Sequence, residues 1–383
     1  MTDDVWILGG TGRSGRAIAA ELIARGIGPV LVGRDEDRLL AARRAVAEAA
    51  LEPNGSLRPG SEAIDRIRTV VALTLEETAA EIRRQRPAVV INTVGPFGVT
   101  AGAIIRACLP AGHYVDLAND VAAVSAVLGR HDEAAAAGRS LVTGAGFGVT
   151  ATESVVVKLG EGTSTPVDVR VDMVPSLAIE AGRLGEALAA TILEGLPGVE
   201  GGGRFQGRRY RDGRLVAARI AGDAAPLTLP DGTRVTTAGM PLGELIAAQR
   251  ASGAPSVLAA SSEAPTAPIA RALMPLLLPL LAFTPLRHFA IRRLAAVEVK
   301  ARPRPREHSW GHARLRWADG TVREGWLRLG DAQTFTGAVP AEVARRLLTG
   351  EGRPGAYFPA SLFGPSLAES CGGEYVLAGL PSA

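Results

Sequence analysis

Along the first part of the chain, apolar positions come in short, almost unbroken runs. These are VWILG (Val5–Gly9), PVLVG (Pro29–Gly33), TVVAL (Thr69–Leu73), AVVINTV (Ala88–Val94), HYVDLA (His113–Ala118) and SLVTGA (Ser140–Ala145). Between them lie stretches with helical spacing, in which apolar residues recur a turn apart as Ile18 and Leu22 do. They are Arg13–Arg25, Glu36–Ala50, Leu75–Arg86, Ala101–Ala111 and Val121–Ala137. A strand buried on both faces has no polar side to alternate with, so it reads as a continuous apolar run. Such strands alternating with helices predict a doubly wound parallel sheet, covered on both faces and joined by right-handed crossovers.

After Gly148 the pattern changes. Val167–Val174 (VDVRVDMV) alternates apolar and polar residues like a strand with one exposed face. LTLPDGTRVTT (Leu227–Thr237) and HARLRWADGTVREGWLRL (His312–Leu329) each place an Asp-Gly pair between strand-like runs, a hairpin signal. Helices are expected at Gly185–Leu193, at Leu242–Ala251 and within Ile269–Leu294, and a loop at the glycine-rich Gly195–Gly207. A helix near Ala341–Leu348 precedes the tail YFPASLFGPSLAES. This predicts an α+β second domain on an antiparallel or mixed sheet. The expected division is 1–148, 149–334 and a C-terminal segment 335–383.

Composition narrows the classes. The 383 residues fit about two domains, and 47% apolar with 21% charged residues is a globular composition. A net charge of +3 gives no footprint for nucleic acid. Cys108 and Cys371 form neither a metal spacing nor a disulfide framework, and are expected as free thiols in a reducing compartment. No basic region precedes the first apolar run, so a cytoplasmic location is expected. The uncharged run Ala272–Leu286 is broken by Pro275, Pro279 and Pro285. It is shorter than the roughly 20 residues a spanning helix needs, which argues against stable membrane insertion. A buried or kinked helix is the first reading; a lipid-facing patch followed by Arg287, Arg292 and Arg293 is the alternative.

Chemistry concentrates in GGTGRSG. Gly10, Gly12 and Gly15 follow a predicted strand and open a predicted helix, the context of a dinucleotide-binding turn. The first glycine is expected to make the turn, the second to admit the pyrophosphate, and the third to let helix and strand pack. Thr11, Arg13 and Ser14 complete the loop, whose helix N-terminus offers N–H groups to phosphate. At the end of the second strand stand Arg34 and Asp35. A carboxylate at this corner suits the ribose of NAD, whereas Arg34, with Arg13 nearby, suits the 2′-phosphate of NADP. NADP is the expected cofactor. Ligands of such sheets lie beyond the carboxyl ends of the strands. That side carries Thr93, Val94, Gly95 and Pro96 after the fourth strand, Asp116, Asn119 and Asp120 after the fifth, and Gly144 after the sixth.

The segments GGTGRSGR, VGRDEDRL, VINTVGPFGVTAGAIIRACLPAGHYVDLAND and YFPASLFGPSL resemble the saccharopine dehydrogenase-like oxidoreductases. The likeness is best over residues 4 to 150; the middle, Val155 to Gly330, matches no member of known substrate. The family includes reductases of amino-acid-derived imines and trans-acting enoyl reductases. The resemblance implies a Rossmann domain completed by the C-terminal segment, with an α+β substrate domain inserted before that return. Enoyl-reductase relatives carry Gly-Glu after the Tyr-x-Asp element, where this chain has LANDVAA.

No Tyr-x-x-x-Lys pair exists: four residues beyond Tyr114, Tyr210, Tyr357 and Tyr375 stand Ala118, Arg214, Ser361 and Gly379. The histidines show no H-E-x-x-H spacing, and His308 and His312 lie in strand or turn, so no metal is expected. Hydride transfer from NADPH to a C=N, C=O or C=C bond of a small, partly apolar substrate is the expected chemistry. Asp116, Asp120 and Tyr114, then His113, are the candidate proton donors. Each has a structural alternative, Asp120 as a helix cap among them. Met240, Met274 and Leu276–Leu281 are candidate substrate walls. A homodimer is a possible assembly. The rival readings are an NADP-holding redox sensor without turnover and a lipid-surface protein.

Overall fold

The computed structural model describes residues 2–49, 64–178, 181–183, 189, 206–265, 280–281 and 283–377. The chain divides into two compact units, Met1–Ala118 with Ser125–Phe147 and Gln333–Phe363, and Asn119–Val124 with Gly148–Ala332 and Gly364–Ala383.

In the first unit, strands β1 (Thr2–Leu8), β2 (Pro29–Gly33), β3 (Arg68–Val71), β4 (Pro87–Asn92), β5 (His113–Asp116) and β6 (Ser140–Val142) are all parallel. Their spatial order is β6-β5-β4-β1-β2-β3, the Rossmann order, with the switch point between β1 and β4. Val5, Trp6 and Ile7 on β1, and Val89, Val90 and Ile91 on β4, are fully buried. Burial on both faces is why the central strands read as unbroken apolar runs. Helix Leu75–Gln85 starts where Thr74 Oγ1 accepts from Glu77 N at 3.1 Å.

The helix expected over Val121–Ala137 is two, Val121–Leu128 and His131–Ala136. Between them Gly129 N still donates to Ser125 O, but Arg130 N donates to Val127 O, three residues back, which tightens and ends the turn. The helix expected from Ala101 starts earlier, at Phe97, and ends at Cys108.

The second unit holds a nine-stranded mixed sheet. Its strands are β7 (Asp168–Val174), β9 (Gly207–Arg211), β10 (Arg214–Ala218), β11 (Ala225–Thr228), β12 (Arg234–Gly239), β13 (Ser256–Ser261), β15 (Ser309–Arg316), β16 (Val322–Leu329) and β18 (Glu374–Leu377). β8 (Gly182–Arg183) and β14 (Glu298–Val299) pair separately. Only the β13–β7 pairing is parallel; the others are antiparallel. Both expected Asp-Gly hairpins form, β11–β12 and β15–β16, with Asp231 and Asp319 each accepting from the threonine two residues on at 2.9 Å. A third, β9–β10, turns on Asp212 and Gly213, both at positive φ, the combination a two-residue type I′ hairpin needs. Val174, Leu229, Trp310 and Trp326 form one core cluster of this unit.

The chain then returns to the first unit. Helix Ala332–Leu348 begins nine residues before the expected Ala341 and runs through Pro340. An interior proline costs about 3 kcal/mol. Val339, Ala341, Val343 and Ala344 are fully buried, and their packing outweighs that cost. Strand β17 (Gly355–Tyr357) pairs in parallel with β6 as the seventh strand of the first sheet. Nearly all of the helix expected at Gly185–Leu193, the Gly195–Gly207 loop as far as residue 205, and the apolar run over residues 272–279, Met274 among them, lie outside the described residues.

Candidate functional site

The carboxyl ends of β1, β2, β4, β5 and β6 lie on one side of the first sheet, and most of the candidate residues follow them. The turn after β1 differs in one respect from the expectation. Gly9, not Gly10, takes the left-handed conformation, with φ +77. The amides of Gly9 and Gly10 both donate to Val32 O on β2, at 3.0 and 3.1 Å, and this shared acceptor forces the reversal one residue early. Gly10 is instead a close approach: a Cβ there would lie 2.8 Å from Leu31 Cβ. Gly12 is the N-cap of helix Arg13–Ala24, with no side-chain cap and no acid in the first turn. The helix therefore starts with uncompensated N–H dipoles, which favour an anion. At Gly15 a Cβ would meet Gly9 O at 2.5 Å and Gly10 Cα at 2.9 Å, so the missing side chain is what lets helix and turn touch. Gly12 and Arg13 are exposed and Thr11 is half-buried; Ser14 Oγ accepts from Gln333 Nε2 at 3.3 Å.

At the end of β2, Arg34 is exposed. Asp35 Oδ1 accepts from Arg38 N at 3.0 Å, so this carboxylate caps its own helix, Glu36–Ala49.

After β4 a buried asparagine organises the loop. Asn92 Nδ2 donates to Thr100 Oγ1 at 3.0 Å and Tyr114 Oη at 3.2 Å, and its Oδ1 accepts from Val94 N at 3.0 Å. Thr100 Oγ1 donates to Val94 O at 2.7 Å, and Thr93 Oγ1 to Leu8 O at 2.7 Å. Thr93–Pro96 is thus held against the end of β1, with the Val94 side chain exposed and Gly95–Pro96 cis. The polar pair Asn92-Thr93 in the run AVVINTV was its only visible sign.

Asp116, at the end of β5, is fully buried. Its Oδ1 accepts from Thr143 Oγ1 at 2.8 Å, Ala118 N at 3.0 Å and Gly144 N at 3.1 Å, tying the exits of β5 and β6 together. Its Oδ2 has no hydrogen-bond partner. Burial pushes the carboxyl up to about 6 against the pull of those donors. Gly144 sits at φ +74. Tyr114 is fully buried; burial first, and then the Asp116 charge, push its hydroxyl well above the ordinary tyrosine value. His113 Nδ1 accepts from Ser140 N at 2.9 Å, and burial with the Arg139 charge brings it down to about 4.

Asn119 and Asp120 belong to the second unit. Asp120 Oδ1 accepts from Ala123 N at 2.7 Å, as a helix cap does, while burial raises its carboxyl. Asn119 Oδ1 accepts from Gly243 N at 2.9 Å and its Nδ2 donates to Glu244 Oε1 at 3.2 Å. Glu244 is 2% exposed, its Oε2 has no partner, and burial pushes it up to about 7. No motif marks Glu244; only its burial does. Met240 is half-buried and packs against Ala221, Ala238 and Ala264.

A second polar cluster of this unit escaped the sequence reading. His312 Nδ1 lies 2.9 Å from Asp172 Oδ2 and its Nε2 2.9 Å from Glu324 Oε1. Asp172 also accepts from Arg170 and from Thr237 Oγ1, the latter at 2.6 Å. Burial opposes charge here, but the two carboxylates raise His312, and His312 with Arg170 holds Asp172 down at about 2. The His312 ring lies 4.1 Å from that of Trp326, centroid to centroid. An imidazolium occupied at both nitrogens cross-links strands; it has no free position for acid–base work.

No protein-family model and no curated protein sequence matches the chain. Among solved structures, apo saccharopine dehydrogenase (L-Glu forming) from Saccharomyces cerevisiae aligns over 98% of this chain and 100% of its own, with TM-score 0.58 and 12% identity. A Clostridium tetani meso-dapdh variant with DAP aligns over 96% of each chain, with TM-score 0.39 and 13% identity. The C-domain of a bacterial malonyl-CoA reductase with NADP aligns over 37% of this chain and 29% of that chain, with TM-score 0.29 and 14% identity. The yeast enzyme shows that this chain has the saccharopine dehydrogenase fold; the other two are too distant to add to that.

Proposed function

We propose, from the saccharopine dehydrogenase fold and its glycine turn, that the chain is an NADPH-dependent reductase of a small, partly apolar substrate bearing a C=N, C=O or C=C bond. The observation that carries the reading is the Gly9–Gly15 turn at the switch point of the first sheet. Its first helical turn is uncapped by any side chain, and Gly12 keeps the approach to it open. These backbone N–H groups hold the pyrophosphate. Arg34 and Arg13 hold the 2′-phosphate. Asp35 fits this choice in that its Oδ1 is engaged by Arg38 N of its own helix. Thr93, Val94, Gly95 and Pro96 line the riboses, and Gly144 stands towards the nicotinamide end. When bound, NADPH supplies the hydride.

The candidate acids take supporting parts in this reading. Tyr114 is sealed in the core with its hydroxyl on Asn92, and Asp120 caps a helix. Asp116 shapes the floor of the site by pinning Ala118 and Gly144. An imine that arrives protonated needs no further acid, so C=N is the favoured bond among the three.

Calorimetry with both reduced coenzymes tests the proposal. NADPH is expected to bind more tightly than NADH. Arg34→Asp is expected to weaken NADPH binding roughly tenfold or more, from one lost charge-assisted contact, with little effect on NADH. Equal loss for both would remove the phosphate-clamp role, and no heat from either coenzyme with folded protein would end the reductase reading.

A further inference from the structure

One helix of the second unit has no buried residue: Thr284–Ala295, sequence TPLRHFAIRRLA. It is flanked and studded by large apolar side chains open to solvent. Leu280, Phe283, Leu286, Phe289 and Val297 are 53, 67, 39, 50 and 45% exposed. No other exposed phenylalanine occurs among the described residues. Scattered single exposed apolar residues are ordinary; five in one short segment form a patch.

The charge around the patch is predominantly positive. Arg292, Arg293, Lys300, Arg302 and Arg304 are exposed within or just beyond the helix, and Arg293 lies 5.5 Å from the Phe289 ring centroid. Between Glu263 and Glu307 the only acidic residue is Glu298. The segment is anchored beyond its C-terminal end, where Glu298–Val299 pairs with Gly182–Arg183. No described helix is long and apolar enough to cross a membrane.

We propose that Thr284–Ala295 and the basic stretch up to Arg304 form a docking surface for an anionic lipid bilayer. Aromatic and leucine side chains enter the boundary between headgroups and acyl chains, while arginines interleaved with them hold lipid phosphates. A surface of lipid phosphates over acyl chains matches both the cations and the apolar side chains between them, and the charge pattern selects lipid over a second copy of this chain, whose own patch would bring the same sign. This docking is independent of the coenzyme reading and holds the chain on a lipid surface without a spanning helix among the described residues.

The test is flotation of the full chain with vesicles of phosphatidylcholine alone or mixed equally with phosphatidylserine. The protein is expected to float with the mixed vesicles and, at low salt, about tenfold or more less with the neutral ones. Phe283→Ser with Phe289→Ser, and separately Arg292→Gln with Arg293→Gln, are each expected to lower binding roughly tenfold or more. Circular dichroism and a melting curve establish that each variant is folded. Failure of the folded parent to float with anionic vesicles overturns the proposal, as does flotation unchanged in both variants. A dimer of the parent that the phenylalanine variant dissolves would assign the patch to self-association instead, and an acidic protein that binds it when vesicles do not would equally displace lipid.

Discussion

Replacing Glu244 by glutamine should raise the stability of the protein relative to the parent as the pH climbs from acid to neutral. The side chain is buried, one oxygen accepts from Asn119 Nδ2 at 3.2 Å, and the other has no partner. Met173 Sδ and Gly148 crowd it, so no water shell supports a charge. Its ionisation moves from 4.5 to about 7, chiefly through burial. In the unfolded chain the carboxyl has lost its proton above 4.5; in the folded chain it keeps the proton to about 7. Between these limits the native state binds one proton more, so stability falls as pH rises through the window. A shift of this size corresponds to roughly 3 kcal/mol, complete below the lower limit and gone above the upper one. Glutamine matches the protonated acid in shape and still accepts from Asn119, without the titration. Its extra amide hydrogen lacks a partner and costs about 1–3 kcal/mol at every pH. The diagnostic quantity is therefore the change with pH, not the absolute stability. Urea unfolding of parent and Glu244→Gln near pH 5 and near pH 8 should show the variant gaining about 2–3 kcal/mol relative to the parent between the two. A difference independent of pH, or one that moves the other way, would refute the claim that this carboxyl is neutral in the fold.

Two further predictions concern the first unit. Gly15→Ala should lose up to about 2 kcal/mol of stability, since overpacking against the Gly9 backbone costs roughly 1–3 kcal/mol and the helix propensity of alanine returns about 1. Gly12→Ala, whose Cβ meets only Gly9 O at 3.2 Å, should keep its stability to within about 0.5 kcal/mol, yet both variants should lose NADPH affinity; unchanged melting and binding in Gly15→Ala would contradict the packing role. His113, lowered to about 4 from 6.5 by burial and the Arg139 charge, accepts from Ser140 N only when neutral. Over that window the unfolded chain takes up a proton that the native state refuses, so stability falls as pH drops from about 6.5 towards 5, by roughly 2 kcal/mol. Denaturation of His113→Gln across the same range should show that acid-dependent loss removed, and an unaltered slope would count against the neutral imidazole.

Much of the first unit is legible in the sequence. Its strands are buried on both sides, which leaves an unbroken apolar signature, and its glycine turn demands particular residues at short, set spacing. Even there the sequence placed the reversal at Gly10, whereas the pairing of both Gly9 and Gly10 amides with Val32 O puts it at Gly9. That acceptor lies on another strand and leaves no mark in the local pattern. The expected helix likewise began only at Ala341, whereas tertiary packing extends it back through Pro340 to Ala332. The Asp212-Gly213 hairpin is a different case: its signal, RRYRDGRLVA, is present in the chain and has the same Asp-Gly form as the two expected hairpins.

By itself, then, the sequence determined the class of fold, the order of strand and helix in the first unit, two hairpins and the turn on which the coenzyme reading rests. Each follows from contacts among residues a few positions apart, where backbone geometry translates directly into spacing. The tertiary structure alone decided which polar residues act together. Asn119 meets Glu244 across 125 positions, His312 meets Asp172 across 140, and Asp116 reaches Gly144 across 28. A buried carboxyl or imidazole is tuned by the neighbours that replace its water, and those neighbours come from strand order and register, which no local pattern records.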